Sequence, residues 1–291
     1  MGKTIRRNWS IGDFFIFIAL SILCVVMLYP FWQTVVSSLM TESEYLTSTF
    51  KLFVKSPTLA SYKQIFQDGT IFMHLKVTFL VTIVGTVVAL FFTAYSAYGL
   101  SKSFKGSKIV MFFIVMTMFV QAGLIPDYMN YKEFGLINNF AVYILPYMIN
   151  TFYLIIMRTT FMEFPKELEE AAKMDGCDHF RIFFTIVLPL SKPVLAAIGL
   201  FFMVSFWNTY MQSVFFITDK ELKTVQEYLQ SLITSTQELE AIMVAESGVE
   251  GYNSETIRLA NIVIVLLPII SVYPLLQKYF VKGLMMGSIK G

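Results

Sequence analysis

The side chains that most often carry catalysis are sparse in this sequence and form no catalytic pattern. Its 291 residues include two histidines, His74 and His179, and two cysteines, Cys24 and Cys177. We find no serine–histidine–acid arrangement, no zinc-ligand spacing and no Gly-x-x-x-x-Gly-Lys-Ser/Thr phosphate loop. Two separated cysteines also provide no disulfide framework. The sequence therefore predicts a protein that is not an enzyme and has no catalytic residue, metal site or bound cofactor of its own.

A charged segment between long apolar runs is the most distinctive chemical feature. Three acids and one base lie between Glu167 and Lys173. Pro165 suits a first helical turn, where its missing N–H is not needed. Gly176 is a typical helix stop. The pattern predicts a short helix from Pro165 to Asp175, which presents a rigid polar surface.

A second helix is predicted directly after this one. Asp178 can cap its amino terminus, and the helix then carries His179 to Leu188 up to Pro189. The two elements form a helix–turn–helix placed between apolar segments. Such a segment is where a membrane protein can contact a soluble partner.

The composition predicts a membrane protein. Hydrophobic residues make up 56% of the chain and charged residues 14%, whereas soluble proteins have about 25% charged residues. The chain has room for about six spans of roughly 20 residues, and these must be helices because an open sheet leaves backbone groups unsatisfied in lipid. The net charge of +2 gives no indication of nucleic-acid binding. We expect an all-α membrane protein with six transmembrane helices at about 14–39, 71–100, 109–125, 140–157, 194–217 and 257–279.

Orientation follows from the distribution of lysine and arginine. Fourteen of the 22 basic residues lie in the amino-terminal region, the 101–108 link, the 159–193 loop and the tail, against six in the loops of the opposite side. The richer side is predicted to be cytoplasmic. We therefore expect a multi-pass protein of the cell membrane with both termini in the cytoplasm. Residues 1–13 form the amino-terminal segment and 14–291 the transmembrane domain, with a cytoplasmic loop at 159–193 and an extracytoplasmic loop at 218–256.

Two sequence blocks resemble one protein family. Seven residues match, in type and spacing, the coupling loop of binding-protein-dependent ABC importer permeases: Glu170, Ala171, Ala172, Gly176, Ile186, Leu188 and Pro189. A second block, from Tyr279 to Leu284 with Gly287, Lys290 and Gly291, resembles the carboxy terminus of carbohydrate-importer permeases. The chain is similar to the maltose-type branch of that family, which moves oligosaccharides or polysaccharide fragments.

The resemblance implies a set of partners. They are a second homologous permease chain, two ATPase subunits that carry ATP and Mg, an extracytoplasmic solute-binding protein, an oligosaccharide and membrane lipid. The helix–turn–helix would be the element that the ATPase moves. Residues expected to couple it to the ATPase are Glu170, Ala171, Ala172, Asp175, Gly176, Ile186, Leu188 and Pro189.

Polar and aromatic residues within the spans suggest a substrate pathway, because such groups tend to face the interior of a helix bundle. Trp207, Tyr210, Met211 and Val214 would share one face of a continuous helix, with Asn208 and Gln212 nearby. Aromatic rings and amides together suit a sugar, and the Trp207–Asn208 pair resembles one in the family. Gln121 and Asn150 are further candidates. The aromatics can instead be packing residues, the amides can bond neighbouring helices, and the chain can simply form one wall of the cavity.

The long loop at 218–256 is acidic and is predicted to contain helices between Val225 and Met243. Its glycine-containing tip, with Gly248, Glu250, Gly251, Tyr252 and Asn253, is expected from the resemblance to contact the binding protein. The alternative is a passive hydrated loop.

Other functional classes fit less well. A stand-alone secondary carrier would need buried ion-coupling acids, and the centres of the six predicted spans contain no Asp or Glu. An intramembrane enzyme lacks a catalytic constellation. An ABC permease for amino acids, peptides or ions remains open, but the carboxy-terminal block and the Trp207–Asn208 pair favour sugars.

Overall fold

The computed structural model describes residues 11–49, 51–120, 122–234 and 255–288. Within these ranges the chain forms helices and connecting segments, with no strand. The predicted all-α class is therefore confirmed. Two compact units make up the described chain. One contains the residues up to Gly69 together with Leu232–Leu266, and the other contains Thr70–Ser231 together with the segment from Leu267 onward.

The first unit contains α1 (Ile11–Ser38), α2 (Glu42–Thr47), α3 (Ala60–Asp68) and the beginning of α13 (Glu255–Ser288). Side chains join these elements. The hydroxyls of Ser38 and Tyr62 lie 2.7 Å apart, and Ser61 Oγ donates to Thr256 Oγ1 at 3.1 Å. The contacts connect α3 to the end of α1 and to the first turn of α13.

The second unit is built around α4 (Thr70–Ser101). The helices that follow are α5 (Ser107–Met116), α6 (Leu124–Glu133), α7 (Thr151–Met162), α8 (Lys166–Met174), α9 (His179–Leu190), α10 (Lys192–Trp207), α11 (Met211–Phe216) and α12, described over 225–234. Helix α4 packs against α7 and α10. Ala89, Ala94 and Ala97 on α4 are fully buried, and such small residues let neighbouring helices approach closely.

The amino-terminal end of α4 is connected to the segment before α12. His74 is buried, its Nδ1 lies 3.0 Å from the carbonyl oxygen of Lys223, and its ring stacks on Tyr228. The amide of Val225 donates to Thr78 Oγ1 at 2.9 Å. These contacts give His74 a structural role at a buried helix end.

The third predicted span, 109–125, is not one helix. Helix α5 ends at Met116, and α6 begins after Gly123. Pro126 lies in the first turn of α6. This position is favourable because the first amides of a helix have no intrahelical acceptor, so the missing N–H of proline costs nothing there.

The fourth and fifth predicted spans also contain breaks. Two turns of 3₁₀-helix, Phe140–Tyr143 and Leu145–Tyr147, precede α7 at an angle of 47°. Helix α10 ends at Trp207, and the chain passes through residues 208–210 before α11. The expected continuous face of Trp207, Tyr210, Met211 and Val214 is therefore wrong, because the helical phase is lost between Trp207 and Met211.

Two helices in the described residues are long and apolar enough to cross a bilayer alone, Gly12–Ser38 and Thr70–Ser101. The number becomes four if each of two bent helix pairs is counted as one span. These pairs are Phe140–Tyr147 with Thr151–Met162, and His179–Leu190 with Lys192–Trp207. These numbers rest on length and composition alone.

Candidate functional site: a polar helical loop and an amide-lined cavity

Helix α8 has well-defined ends. Glu167 and Glu169 lie in its first turn, where negative charge is favoured by the helix dipole. At its carboxyl end the amide of Gly176 donates to Lys173 O and that of Cys177 donates to Ala172 O, both at 3.0 Å. This pair of bonds is a Schellman motif. Gly176 has φ +79°, a left-handed conformation that glycine adopts without steric cost, so it ends the helix as expected.

Helix α9 begins as the sequence predicts. Asp178 Oδ1 accepts from the amide of Arg181 at 2.8 Å, which caps the new helix. The helix runs past the predicted end to Leu190, with a π-helical segment at Phe183–Val187 just before Pro189. At Ser191 the chain bends by 86° into α10. This bend sets the direction in which the polar loop enters the apolar part of the unit.

The residues of the coupling motif divide between exposed and packed positions. Glu170, Ala171, Asp175, Gly176 and Pro189 are exposed. The packed or partly packed positions are Ala172, Ile186 and Leu188, which belong to the core of the second unit or lie against it. One side of α8 is therefore available to another molecule, while Ala172 seats the helix on the rest of the chain.

Glu169 is the acid of α8 that contacts the rest of this unit, and no sequence pattern indicated this contact. Tyr98 Oη donates to Glu169 Oε1 at 2.5 Å, and the ammonium of Lys102 forms an ion pair with the same oxygen. Burial alone would raise the pKa of Glu169, but the hydrogen bonds from Lys102 and Tyr98 outweigh it, so the pKa lies below its ordinary value. The carboxylate is therefore ionised and binds the end of α4.

A second polar contact holds the same end of α4. Arg158 lies within α7, and its Nε donates to Leu100 O at 2.8 Å. Carbonyls in the last turn of a helix have no intrahelical donor. A guanidinium is well suited to this position, since it also complements the negative end of the helix dipole.

Three of the predicted pathway residues line one cavity, which we call the amide cavity. It has a volume of about 420 Å³, and Asn150, Asn208 and Gln212 all contribute to its wall together with Tyr147 and Tyr153. Asn150 also caps α7 by accepting from Tyr153 N at 3.2 Å, and Asn208 Nδ2 donates to Val204 O at 2.8 Å. These backbone contacts fix both amides in place.

A neighbouring cavity of about 610 Å³ shares two residues with the amide cavity, Tyr147 and Gln212. Met211, a further predicted pathway residue, lines it together with Asp127 and Tyr131. Sequence reasoning missed the tyrosines of both cavities, because they lie on segments that were expected to be plain spans or short connections.

Trp207 and Tyr210 line neither cavity. Trp207 is buried with its ring edge-on to Phe79, 5.2 Å between centroids, and its Nε1 has no acceptor among the described residues. Tyr210 is half-buried at the break between α10 and α11. Gln121 and the loop residues Gly248, Glu250, Gly251, Tyr252 and Asn253 lie outside the described residues.

Taken together, a helical fold with long exposed apolar helices, a polar helical loop and a cavity lined by amides defines the subunit of a membrane transporter. The family model described as "Binding-protein-dependent transport system inner membrane component" matches residues 96–286, about two thirds of the chain. The chain belongs to this family. It is a permease subunit of an ABC importer, a transport protein and not an enzyme.

Relatives in Bacillus subtilis (strain 168) are similar over most of their length. The polygalacturonan/rhamnogalacturonan transport system permease protein YtcP is 36% identical, with 96% of this chain and 98% of the relative covered. Protein LplC is 39% identical, with 91% and 90% covered. A bacterial ABC transporter involved in the import of the acidic polysaccharide alginate has a chain of the same fold, with a TM-score of 0.84 and 29% identity, covering 94% of this chain and 99% of that chain.

Proposed function

We propose that this permease passes oligosaccharides across the cell membrane as one half of a pore formed with a second, homologous permease chain. The observation that carries the proposal is the amide cavity. Its amides at Asn150, Asn208 and Gln212 can donate to and accept from sugar hydroxyls, and Tyr147 and Tyr153 offer rings that can stack on a sugar. YtcP is named as a permease of a polygalacturonan/rhamnogalacturonan transport system, and the structurally similar chain belongs to a transporter involved in the import of the acidic polysaccharide alginate. Both support a carbohydrate as the substrate.

The six-span topology is part of the proposal. We assign the spans to α1, α4, the α5 region, the segment leading through α7, α10 with α11, and α13. The excess of basic residues in the termini and in the loop of α8 and α9 supports a cytoplasmic position for all three. The domain boundaries are those expected from the sequence, with residues 1–13 before the transmembrane domain of 14–291.

The ATPase partner would bind the exposed side of α8. Glu170, Ala171, Asp175 and Gly176 would face it, and Ala172, Ile186 and Leu188 would hold the loop against the spans. The exposed Pro189 would fix the exit of the loop toward α10. Two ATPase subunits would bind ATP and Mg, and this chain would bind no cofactor. On the opposite side of the membrane, the tip with Gly248, Glu250, Gly251, Tyr252 and Asn253 would contact the solute-binding protein.

Uptake by intact cells tests the substrate class. Cells that lack the chain should fail to accumulate one or more members of a panel of labelled oligosaccharides, and the wild-type chain should restore uptake. Because a lost neutral hydrogen bond has a net value of about 0.5–1.5 kcal/mol, Asn208→Ala and Gln212→Ala should each reduce uptake by roughly two- to thirteenfold. Asn130→Ala changes an exposed amide that lines neither cavity and is the matched control. Uptake of amino acids or peptides in place of sugars would contradict the proposal.

A further inference from the structure

Glu169, Tyr98 and Lys102 form a compact polar contact between the coupling loop and α4, which we call the Glu169 anchor. Tyr98 lies in the last turn of α4, Lys102 directly follows the end of this helix, and both contact the Glu169 carboxylate. The Lys102 ammonium also lies 4.2 Å from the centroid of the Tyr98 ring, a cation–π distance. Each of the three side chains therefore contacts both of the others.

Tyr98 contacts both helices of the coupling loop. Its side chain is buried, with 4% exposure, and its hydroxyl lies 3.5 Å from His179 Nδ1 in the first turn of α9. Its ring is 5.6 Å from that of Phe183. A movement of either α8 or α9 would therefore displace the same residue of α4, Tyr98.

From Tyr98, continuous packing leads along α4 to the amide cavity. Gly85 of α4 lies directly against the ring of Phe206, and Phe79 lies edge-on to Trp207. Phe206 and Trp207 are the last residues of α10, and Phe206 itself lines the amide cavity next to Asn208. One continuous helix, α4, thus contacts the coupling loop at one end and the wall of the cavity further along.

We propose that the Glu169 anchor transmits the movement of the coupling loop into α4 and from there to the wall of the amide cavity. The inference rests on the proposed function, and it gives adjacent acids of α8 different tasks. Glu170 is exposed and available to the ATPase, whereas Glu169 is a positioning residue that holds α8 on α4. Removal of the anchor should leave the exposed side of α8 intact but let α8 move without α4.

The experiment uses the complete importer reconstituted in proteoliposomes, with uptake of a transported sugar and ATP hydrolysis measured together. Glu169→Gln and Tyr98→Phe should still co-purify with the ATPase, but the amount of sugar transported per ATP should fall about tenfold, because a lost charge-assisted hydrogen bond changes an equilibrium by about one order of magnitude. Glu167→Gln, an exposed acid on the same helix, should transport as the wild type does.

A charge exchange provides the rescue. Lys102→Glu alone should behave like Glu169→Gln, and the double variant Glu169→Lys with Lys102→Glu should recover part of the transport per ATP. Tyr98→Phe removes one hydroxyl and keeps the buried ring, so it tests the anchor even where a charge variant fails to assemble.

Two results would overturn the inference. One is normal transport per ATP in both Glu169→Gln and Tyr98→Phe. The other is loss of the ATPase from the Tyr98→Phe complex, which would assign the anchor to docking. If the wild-type complex takes up none of the oligosaccharides, the proposed substrate class is wrong. If the wild type and both anchor variants transport the same amount of sugar per ATP, only the role of the anchor is wrong.

Discussion

At the scale of single residues, helix α8 places two neighbouring glutamates in different surroundings. Successive residues of a helix point about 100° apart, so Glu169 and Glu170 cannot face the same surroundings. Glu169 is bound by Tyr98 and Lys102, while Glu170 remains exposed. A motif read from spacing alone identifies Glu170 but gives no reason to choose Glu169.

Charge reversal at the exposed acid should weaken ATPase binding. In Glu170→Lys we expect at least a tenfold loss of co-purified ATPase, because an attractive contact with a basic group becomes repulsive. Glu167→Lys is the matched control on the same helix and should keep most of the ATPase. The measurement is the ratio of ATPase to permease after affinity purification, and equal ratios in the two variants would contradict the role of Glu170.

The Glu169 anchor should fail only in acid. A pKa lowered in the folded state means that the ionised carboxylate contributes stability above its ordinary value of 4.5. This contribution is lost as the pH falls through the lowered folded pKa. The difference in thermal unfolding temperature between wild type and Glu169→Gln should therefore be constant at neutral pH and disappear at strongly acidic pH. A difference that vanishes well above pH 4.5 would show that another group controls it.

At the scale of elements, the close contact of α4 with α10 depends on one glycine. A Cβ atom at Gly85 would lie 2.8 Å from ring carbons of Phe206, whereas a Cβ at Gly99 would have no neighbour within 4 Å. Both glycines belong to the same helix. Space between helices, rather than helix propensity, therefore decides where α4 needs glycine.

Alanine at these two positions should have opposite effects on stability. Gly85→Ala should cost about 1–3 kcal/mol, because α4 and α10 must separate to admit the methyl group. Gly99→Ala should be neutral or stabilise by up to about 1 kcal/mol, since alanine favours helix. Thermal unfolding of the purified permease measures both. An equal effect of the two substitutions would contradict the packing explanation.

At the scale of the whole molecule, the chain leaves a large apolar surface uncovered. In the part of the chain that the structure describes, no residue in the most apolar window of α1 is buried. An uncovered surface of this size requires lipid or another protein. This requirement agrees with a subunit that works only in a membrane assembly, in which permease, ATPase and binding protein each supply part of the function.

Deletion of residues 248–253, the proposed contact with the binding protein, should reduce transport without affecting assembly of the complex. Without residues 248–253 we expect the second permease and the ATPase to co-purify as before, while oligosaccharide uptake falls at least tenfold because the binding protein loses a contact. Replacement of the same residues by a glycine–serine segment of equal length keeps the chain connectivity and is the control for loop closure. Unchanged uptake in both variants would support a passive loop.

The sequence by itself determined the features that depend on neighbouring residues. The apolar runs indicated helices, Gly176 and Asp178 marked the end of α8 and the start of α9, and the spacing from Glu170 to Pro189 indicated the coupling loop. The tertiary structure alone decided which helices break, that Asn150, Asn208 and Gln212 share one cavity, and that Glu169 binds Tyr98 at the end of α4 and Lys102 just after it. The physical reason is that helix ends and periodicity are set by local backbone hydrogen bonds, whereas contacts between residues some 70 positions apart depend on packing that no local pattern records.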